Sequence, residues 1–282
     1  MSFRAKTRNL LWVKWIPALF AHELTVRRND TREETMLILE ICANSIQSAI
    51  NAQQAGAHRV ELCENLAQGG TTPSFGLISQ VKKHLTIKLY VLIRPRPGDF
   101  LYTDLEFDVI KKDIEICKQL GVDGVVCGIL LSNGEIDIVR TKELVKFAKP
   151  MSFTFHRAFD FTNDPFKALE DVISTGADRI LTSGQQPTAI QGEHFIRELV
   201  KIAKGRIIIM PGSGVNEDNI EYLIETGAKE FHMSGTAPIE SKMTFRKLGM
   251  TLGNPEEDYK ISECNIYKIK SVLAILNATN FS

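Results

Sequence analysis

The chain reads AGAHRVELC at residues 55–63, and three later stretches have the same form: LGVDGVVCG at 120–128, TGADRILTSG at 175–184 and TGAKEFHMSG at 226–235. In each stretch a Gly follows an amphipathic segment, and a short apolar run comes one or two residues later. Glycine adopts the left-handed backbone conformation that ends many helices, and an apolar run is typical of a strand covered by helices. The stretch therefore predicts a helix followed by a parallel β-strand, repeated along the chain.

Eight apolar runs of this kind are predicted as strands with helices between them. They lie at residues 37–42, 58–63, 87–93, 124–128, 151–156, 179–183, 206–210 and 229–233. Eight strands alternating with eight helices predict an α/β protein with a single-domain TIM (β/α)8 barrel. A doubly wound open sheet is the alternative, but no G-x-G-x-x-G pattern follows the first strand.

Helix starts are marked by capping residues. Thr103 and Glu106 form a capping-box pattern, and Asn216 is a suitable cap for a helix predicted at 217–225. A last helix is predicted near 262–277. The loops that follow the strands are longer and more polar than those that precede them, and this places the functional face at the strands' carboxyl ends.

Composition limits the function. The chain has 282 residues, with 34 Lys+Arg and 34 Asp+Glu, so its formal net charge is zero. This balance argues against nucleic acid or an anionic membrane as the main partner. The five cysteines are odd in number, well spread and without a C-x-x-C pair, which favours a reducing, cytoplasmic compartment over a disulfide framework. No organic cofactor is expected.

Residues 1–35 differ from the rest of the chain, and the barrel is predicted over residues 36–282. The first acidic residue is Glu23, and the apolar stretch before it contains Lys14 and Pro17. An Arg-rich segment poor in acid is compatible with organellar targeting. A peripheral extension and a true start at Met36 are the other two interpretations.

Two acidic residues and two thiols are predicted to point into the barrel. Alternation along a strand puts Glu40 with Cys42 on one face, and Glu61 with Cys63 on one face. A buried carboxylate needs a partner. The candidates at other strand ends are Arg94, His156, Arg157 and His232. A buried ion-pair network without further function is the alternative for the carboxylates.

The two thiols are candidate metal ligands. Adjacent strands lie about 4.8 Å apart, so Cys42 and Cys63 could approach each other, although barrel stagger could also separate them. Two thiolates, with or without a His, suit a soft ion such as Cu(I). The alternative is that both are small apolar residues of the core.

A Gly-rich turn follows the seventh strand in IIIMPGSGVN, residues 207–216. Backbone N–H groups of Gly212, Ser213 and Gly214 could bind an anion, because TIM barrels often hold phosphate after strands seven and eight. Ser183 and Gly184, after the sixth strand, could add donors. A tight connecting turn without ligand is the alternative.

With these residues in place, the chain resembles the CutC family of copper homeostasis proteins from about Met36 to Tyr259. The motifs that carry the resemblance are EICANSIQSAINAQQAGAHRVELCENLAQGGTTPSFGLI, IRPRPGDFLYTD, FTFHRAFD, DRILTSGQ and IIIMPGSGVN. The resemblance implies a cytoplasmic TIM barrel that forms a homo-oligomer, a dimer or tetramer. It implies copper as the ligand of Cys42 and Cys63, in a polar cavity lined by Glu40, Glu61, Arg94, His156 and His232. RPRPGDF departs from the family, which more often has Gly-Gly before Asp99.

Two functions follow. The first is binding or handling of copper by Cys42 and Cys63, with His156 or His232 in support. The second is an enzyme acting on a small anionic metabolite, such as a phosphorylated one, with Glu40 or Glu61 as acid or base. There His156 would assist the carboxylate, Arg94 would clamp the anion, and residues 212–214 would hold the phosphate. A barrel with a vestigial site is the third interpretation.

Overall fold

The computed structural model of the chain describes residues 36–247, 249–251 and 258–280. The predicted N-terminal extension at 1–35 lies outside the described residues. Eight parallel strands alternate with helices, so the predicted TIM barrel is confirmed. The barrel strands are β1 Ile38–Ala43, β2 Arg59–Leu62, β3 Lys88–Leu92, β4 Gly124–Cys127, β5 Ser152–Phe155, β6 Arg179–Thr182, β7 Ile208–Pro211 and β8 Glu230–Met233.

The helices lie between and after these strands. They are α1 Ile46–Ala55, α2 Phe75–His84, α3 Asp104–Gln119, α4 Ile138–Ala148, α5 Pro165–Thr175, α6 Glu193–Ala203, α7 Ile220–Ile224 and α8 Ile266–Asn280. Short 3-10 turns follow β2 at Leu66–Gln68 and β5 at Arg157–Phe161. Among the described residues, no helix is long and apolar enough to cross a membrane.

The strands pair in chain order, and β1 pairs with both β2 and β8. Within the described part of the chain, β7 joins β8 through one parallel bridge, between Gly212 and His232. This bridge closes the barrel. It also fixes His232 at the seam between β7 and β8.

Side-chain alternation separates the core from the barrel interior. Leu39 and Ile41 of β1 are fully buried among the apolar side chains of the main core. Glu40 and Cys42 lie on the opposite face, where Glu40 contacts Arg59 and His232. Alternation along the strand therefore predicted correctly that Glu40 and Cys42 face the barrel interior.

Local signals were correct at some helix ends and wrong at others. The Thr103 capping box is present at the start of α3. The helix predicted from residue 217 instead begins at Ile220, because Asn216 forms a turn by accepting a hydrogen bond from the Asp218 N–H at 2.9 Å. The residue at the cap position is Asn219.

The last helix also begins later than predicted. Residues Lys260–Cys264 form a strand, β10, which pairs antiparallel with β9 at Thr236–Glu240. This hairpin follows β8, and it was not predicted because most of its side chains are exposed and give no apolar run.

Candidate functional site

The ends of β1 and β2 bring the two thiols together. The sulfur atoms of Cys42 and Cys63 lie 3.3 Å apart, and both side chains are buried. Cys42 is level with Glu61 in the strand register, and Cys63 directly follows the end of β2. The barrel stagger does not separate the thiols.

The partner of Glu40 is Arg59, which the sequence analysis missed. Arg59 donates to Glu40 and, at 2.6 Å, to Glu230. Arg179 donates to the same Glu230 oxygen at 3.1 Å, and the Tyr90 ring lies beside both guanidinium groups. Alternation in RVELC does place Arg59 on the inner face with Glu61, so the signal was present at the start of the strand rather than at its end.

A hydrogen bond to Glu40 orients His232. Its Nδ1 lies 2.8 Å from a Glu40 oxygen, and its Nε2 lies 3.6 Å from a Glu61 oxygen. Burial alone would raise the pKa of Glu40, but Arg59 and His232 outweigh it and lower that pKa to about 2. Burial raises the pKa of Glu61 to about 7. Burial would lower the pKa of His232, but the carboxylates of Glu61 and Glu40 outweigh it and raise that pKa.

One cavity of about 270 Å³ at the carboxyl ends of the strands is lined by Cys42, Glu61, Cys63 and His232. Glu40 was also predicted to line it, but Glu40 lies behind His232 and is not part of the lining. Ligand atoms of Cys42, Glu61 and His232 all lie within 4.8 Å of one another, and Cys63 lies beside Cys42. The hydrogen bond with Cys63, followed by burial, raises the pKa of Cys42 well above its usual value. The arrangement offers a soft metal ion two sulfur atoms and an imidazole nitrogen.

Arg94 and His156 line the same cavity, but they are not partners of the inward carboxylates. Arg94 donates to the carbonyl oxygens of Gln68, Gly70 and Gly98. Its charge therefore supports the loops at the barrel mouth. The expectation that it pairs with Glu40 or Glu61 was wrong, because Arg59 and His232 lie closer to them.

Three of the five residues predicted for anion binding use their N–H groups inside the protein. Gly212 donates to the Thr182 carbonyl at 2.9 Å, which is part of the barrel ladder. Ser183 donates to the Asp160 carboxylate at 3.0 Å. Gly184 donates to the Thr182 hydroxyl at 2.9 Å. These three N–H groups are already satisfied.

The other two residues of that set, Ser213 and Gly214, line the cavity. Both have left-handed backbone conformations, with φ of 85° and 72°. The Ser213 hydroxyl donates to the Pro187 carbonyl at 2.9 Å, which ties the turn to the neighbouring loop. The turn thus offers an anion fewer donors than the sequence indicated.

Comparison with known proteins confirms the resemblance found in the sequence. The sequence model of the CutC family matches residues 37–237, which include all eight barrel strands. A CutC protein of Parabacteroides distasonis is 50% identical over 240 residues, covering 84% of this chain and 99% of its own length. The copper homeostasis protein cutC homolog of Homo sapiens is 42% identical over 241 residues, covering 84% of this chain and 88% of its own length.

A solved structure gives the same result. The crystal structure of the putative copper homeostasis protein CutC from Streptococcus agalactiae is 38% identical, with a TM-score of 0.67. The match covers 71% of this chain and 99% of that one. On the strength of the family model and of relatives matched over nearly their full length, the chain belongs to the CutC family.

Proposed function

We propose that the chain binds and hands on Cu(I) in the cytoplasm, with Cys42 and Cys63 as its ligands. The observation that carries this proposal is the 3.3 Å separation of the two sulfur atoms in a cavity at the functional face. Soft thiolate ligands select Cu(I) over harder ions. The names of the relatives refer to copper homeostasis, which supports the same ion.

His232 is the third ligand in this proposal. Its Nδ1 is held by the Glu40 carboxylate at 2.8 Å, so its Nε2 is directed towards Cys42 and Glu61. A carboxylate behind a ligating His fixes the ring and raises its basicity. Glu40 therefore acts on the metal through His232. His156 has no comparable position, because Cys42, Glu61 and His232 form the cluster without it.

Copper uptake by this site releases protons. Because the pKa of Cys42 is raised by its hydrogen bond with Cys63, its thiol is protonated in the metal-free protein. Thiols must lose their protons to bind a metal, so affinity falls as the solution becomes more acidic. The acid–base alternative has less support, since three of the five predicted anion donors are engaged within the protein.

We also propose that the protein works as a homo-oligomer, a dimer or tetramer. The hairpin β9–β10 carries Ile239 opposite Ile261, and these side chains are 44% and 50% exposed. Light scattering of the full chain measures the mass. A mass equal to one chain at all concentrations would contradict this proposal.

The copper proposal is tested by titrating the reduced protein with Cu(I) in competition with a chromophoric chelator. The Cys42→Ser/Cys63→Ser variant is expected to withdraw no Cu(I) from the chelator. Cys117→Ser/Cys127→Ser is the matched control, because these two thiols are also buried but do not line the cavity. Unchanged competition by the first variant would refute the assignment of the ligands.

A further inference from the structure

The charged side chains on the inner face of the barrel lie beside partners of opposite charge or beside titratable groups, with one exception. Arg59 and Arg179 are balanced by Glu40 and Glu230. His232 lies between the carboxylates of Glu40 and Glu61, at 2.8 Å and 3.6 Å. The remaining positive charge near the cavity belongs to Arg94.

Arg94 is a buried cation without an acidic partner. It is 5% exposed, and it forms no ion pair with any acidic side chain that the structure describes. Two other arginines near the barrel mouth differ in this respect. Arg96 pairs with Glu106 and Asp99, and Arg157 pairs with Asp160. A buried charge that lacks a partner is costly unless a bound ion balances it.

His156 supplies a hydrogen-bond donor in the same cavity wall. Its Nδ1 accepts a hydrogen bond from the Ala158 N–H at 3.2 Å, so the proton of the neutral ring is on Nε2. His156 is 4% exposed, and its Nε2 has no hydrogen-bond partner among the described residues. Buried donors are almost always satisfied by protein, water or ligand.

The wall between these two groups is apolar. The Phe100 ring lies 4.9 Å from the His156 ring and 5.1 Å from the Arg94 guanidinium carbon. Leu66, Leu92 and Leu181 complete this part of the lining. At about 270 Å³ the cavity is close to the lower end of ligand sites, which span about 300–1,000 Å³.

We propose that this cavity binds a small organic monocarboxylate. Its carboxylate lies against Arg94 and accepts a hydrogen bond from His156 Nε2–H, and its apolar part packs on Phe100. One uncompensated cation matches one negative charge, whereas a phosphate monoester carries about two. The site is assigned independently of copper, because neither Arg94 nor His156 belongs to the metal-ligand cluster.

The test is calorimetric titration of the metal-free full chain with benzoate and isobutyrate. Benzamide, which has the shape of benzoate without its charge, and phenyl phosphate are the comparison ligands. We expect both carboxylates to bind, and benzamide to bind at least about tenfold more weakly. Equal binding of benzamide, or tighter binding of phenyl phosphate, would overturn the assignment.

Two variants locate the carboxylate. His156→Phe keeps an aromatic ring and removes the donor, so benzoate binding should weaken at least about tenfold while Cu(I) binding is retained. Arg96→Met is the matched control and should bind benzoate normally, because Arg96 lies outside the cavity lining. Arg94→Met should also lose benzoate binding in the calorimetric titration. If no carboxylate binds and Arg94→Met instead weakens Cu(I), Arg94 is the counter-charge of the copper thiolates and the proposal is wrong.

Discussion

Glu40 shows how one residue can serve both stability and function. Its side chain is fully buried, and it stays ionised because Arg59 and His232 lower its pKa to about 2 against the effect of burial. One oxygen balances the Arg59 guanidinium, and the other accepts a hydrogen bond from His232. The same carboxylate thus holds the barrel interior neutral and orients the proposed metal ligand.

Glu40→Gln should therefore be strongly destabilising. The substitution leaves Arg59 buried with an incomplete partner, and breaking a buried ion pair typically costs about 3–5 kcal/mol. Urea unfolding measures the loss. Glu143→Gln is the control, because its pair with Lys111 is exposed and exposed ion pairs contribute little to stability. Similar losses in both variants would contradict this account.

His156 should make stability depend on pH. Burial, followed by the nearby Arg94 charge, lowers its pKa from 6.5 to about 3, so between these values the unfolded chain binds the proton and the folded chain does not. The contribution of neutral His156 to the free energy of unfolding is fully present above pH 6.5 and is lost as the pH falls towards 3. The loss of stability between pH 7.5 and pH 5 from this group is about 2 kcal/mol.

The measurement compares the wild-type protein with His156→Phe by urea unfolding at pH 7.5 and pH 5. The variant should lose about 2 kcal/mol less stability on acidification, since its aromatic ring does not titrate. Other acidic and basic groups contribute equally to both proteins. Parallel pH profiles would show that His156 is not held neutral by its surroundings.

At the scale of the elements, alternation along a strand predicts which side chains face inward but not which of them meet. Glu40 and Cys42 were placed correctly because the period of a strand is two. Arg59 and Glu230 come from strands on either side of β1, so their contact depends on the barrel register. The hairpin β9–β10 escaped prediction because its exposed residues carry no periodic apolar signal.

The turn after β7 is predicted to tolerate no side chain at Gly212. A Cβ there would lie 2.4 Å from a Leu181 methyl group and 3.2 Å from the His232 Cβ. Gly212→Ala should cost about 1–3 kcal/mol, as overpacked cores do. Because it displaces His232, it should also weaken Cu(I) binding in the chelator assay.

The control for this substitution is Gly76→Ala. Gly76 lies in α2, and a Cβ at this position meets nothing within 4 Å. Alanine favours a helix by about 1 kcal/mol over glycine, so this variant should be as stable as the wild type or more stable. Weakened copper binding by Gly76→Ala would show that the assay reports general destabilisation.

At the scale of the whole molecule, the repeated helix–glycine–strand pattern was sufficient to predict the barrel. The contacts that close it could not be predicted, because they join residues distant in sequence. Residues 1–35 precede the segment matched by the family model at 37–237. The relative from Parabacteroides distasonis matches 84% of this chain with 99% of its own length, so most of the chain corresponds to a complete relative.

We expect a chain that begins at Met36 to fold and bind copper as the full chain does. Domains fold on the contacts of their own core, and terminal segments outside it are commonly dispensable. Its Cu(I) affinity should stay within about twofold of the full-length value, and its melting temperature should be nearly unchanged. Loss of folding in the shortened chain would place residues 1–35 within the structural domain.

The single bridge between Gly212 and His232 has a consequence for motion. The neighbouring β1–β8 seam is held by four register pairs, so we expect the β7–β8 seam to open more easily than the β1–β8 seam. Amides beside it should exchange with deuterium sooner than those of β1 and β2. A copper ion bound by Cys42, Cys63 and His232 would cross-link the ends of β1, β2 and β8. Copper binding should therefore slow deuterium uptake by the amides along the β7–β8 seam. We expect copper release to begin with the opening of this seam.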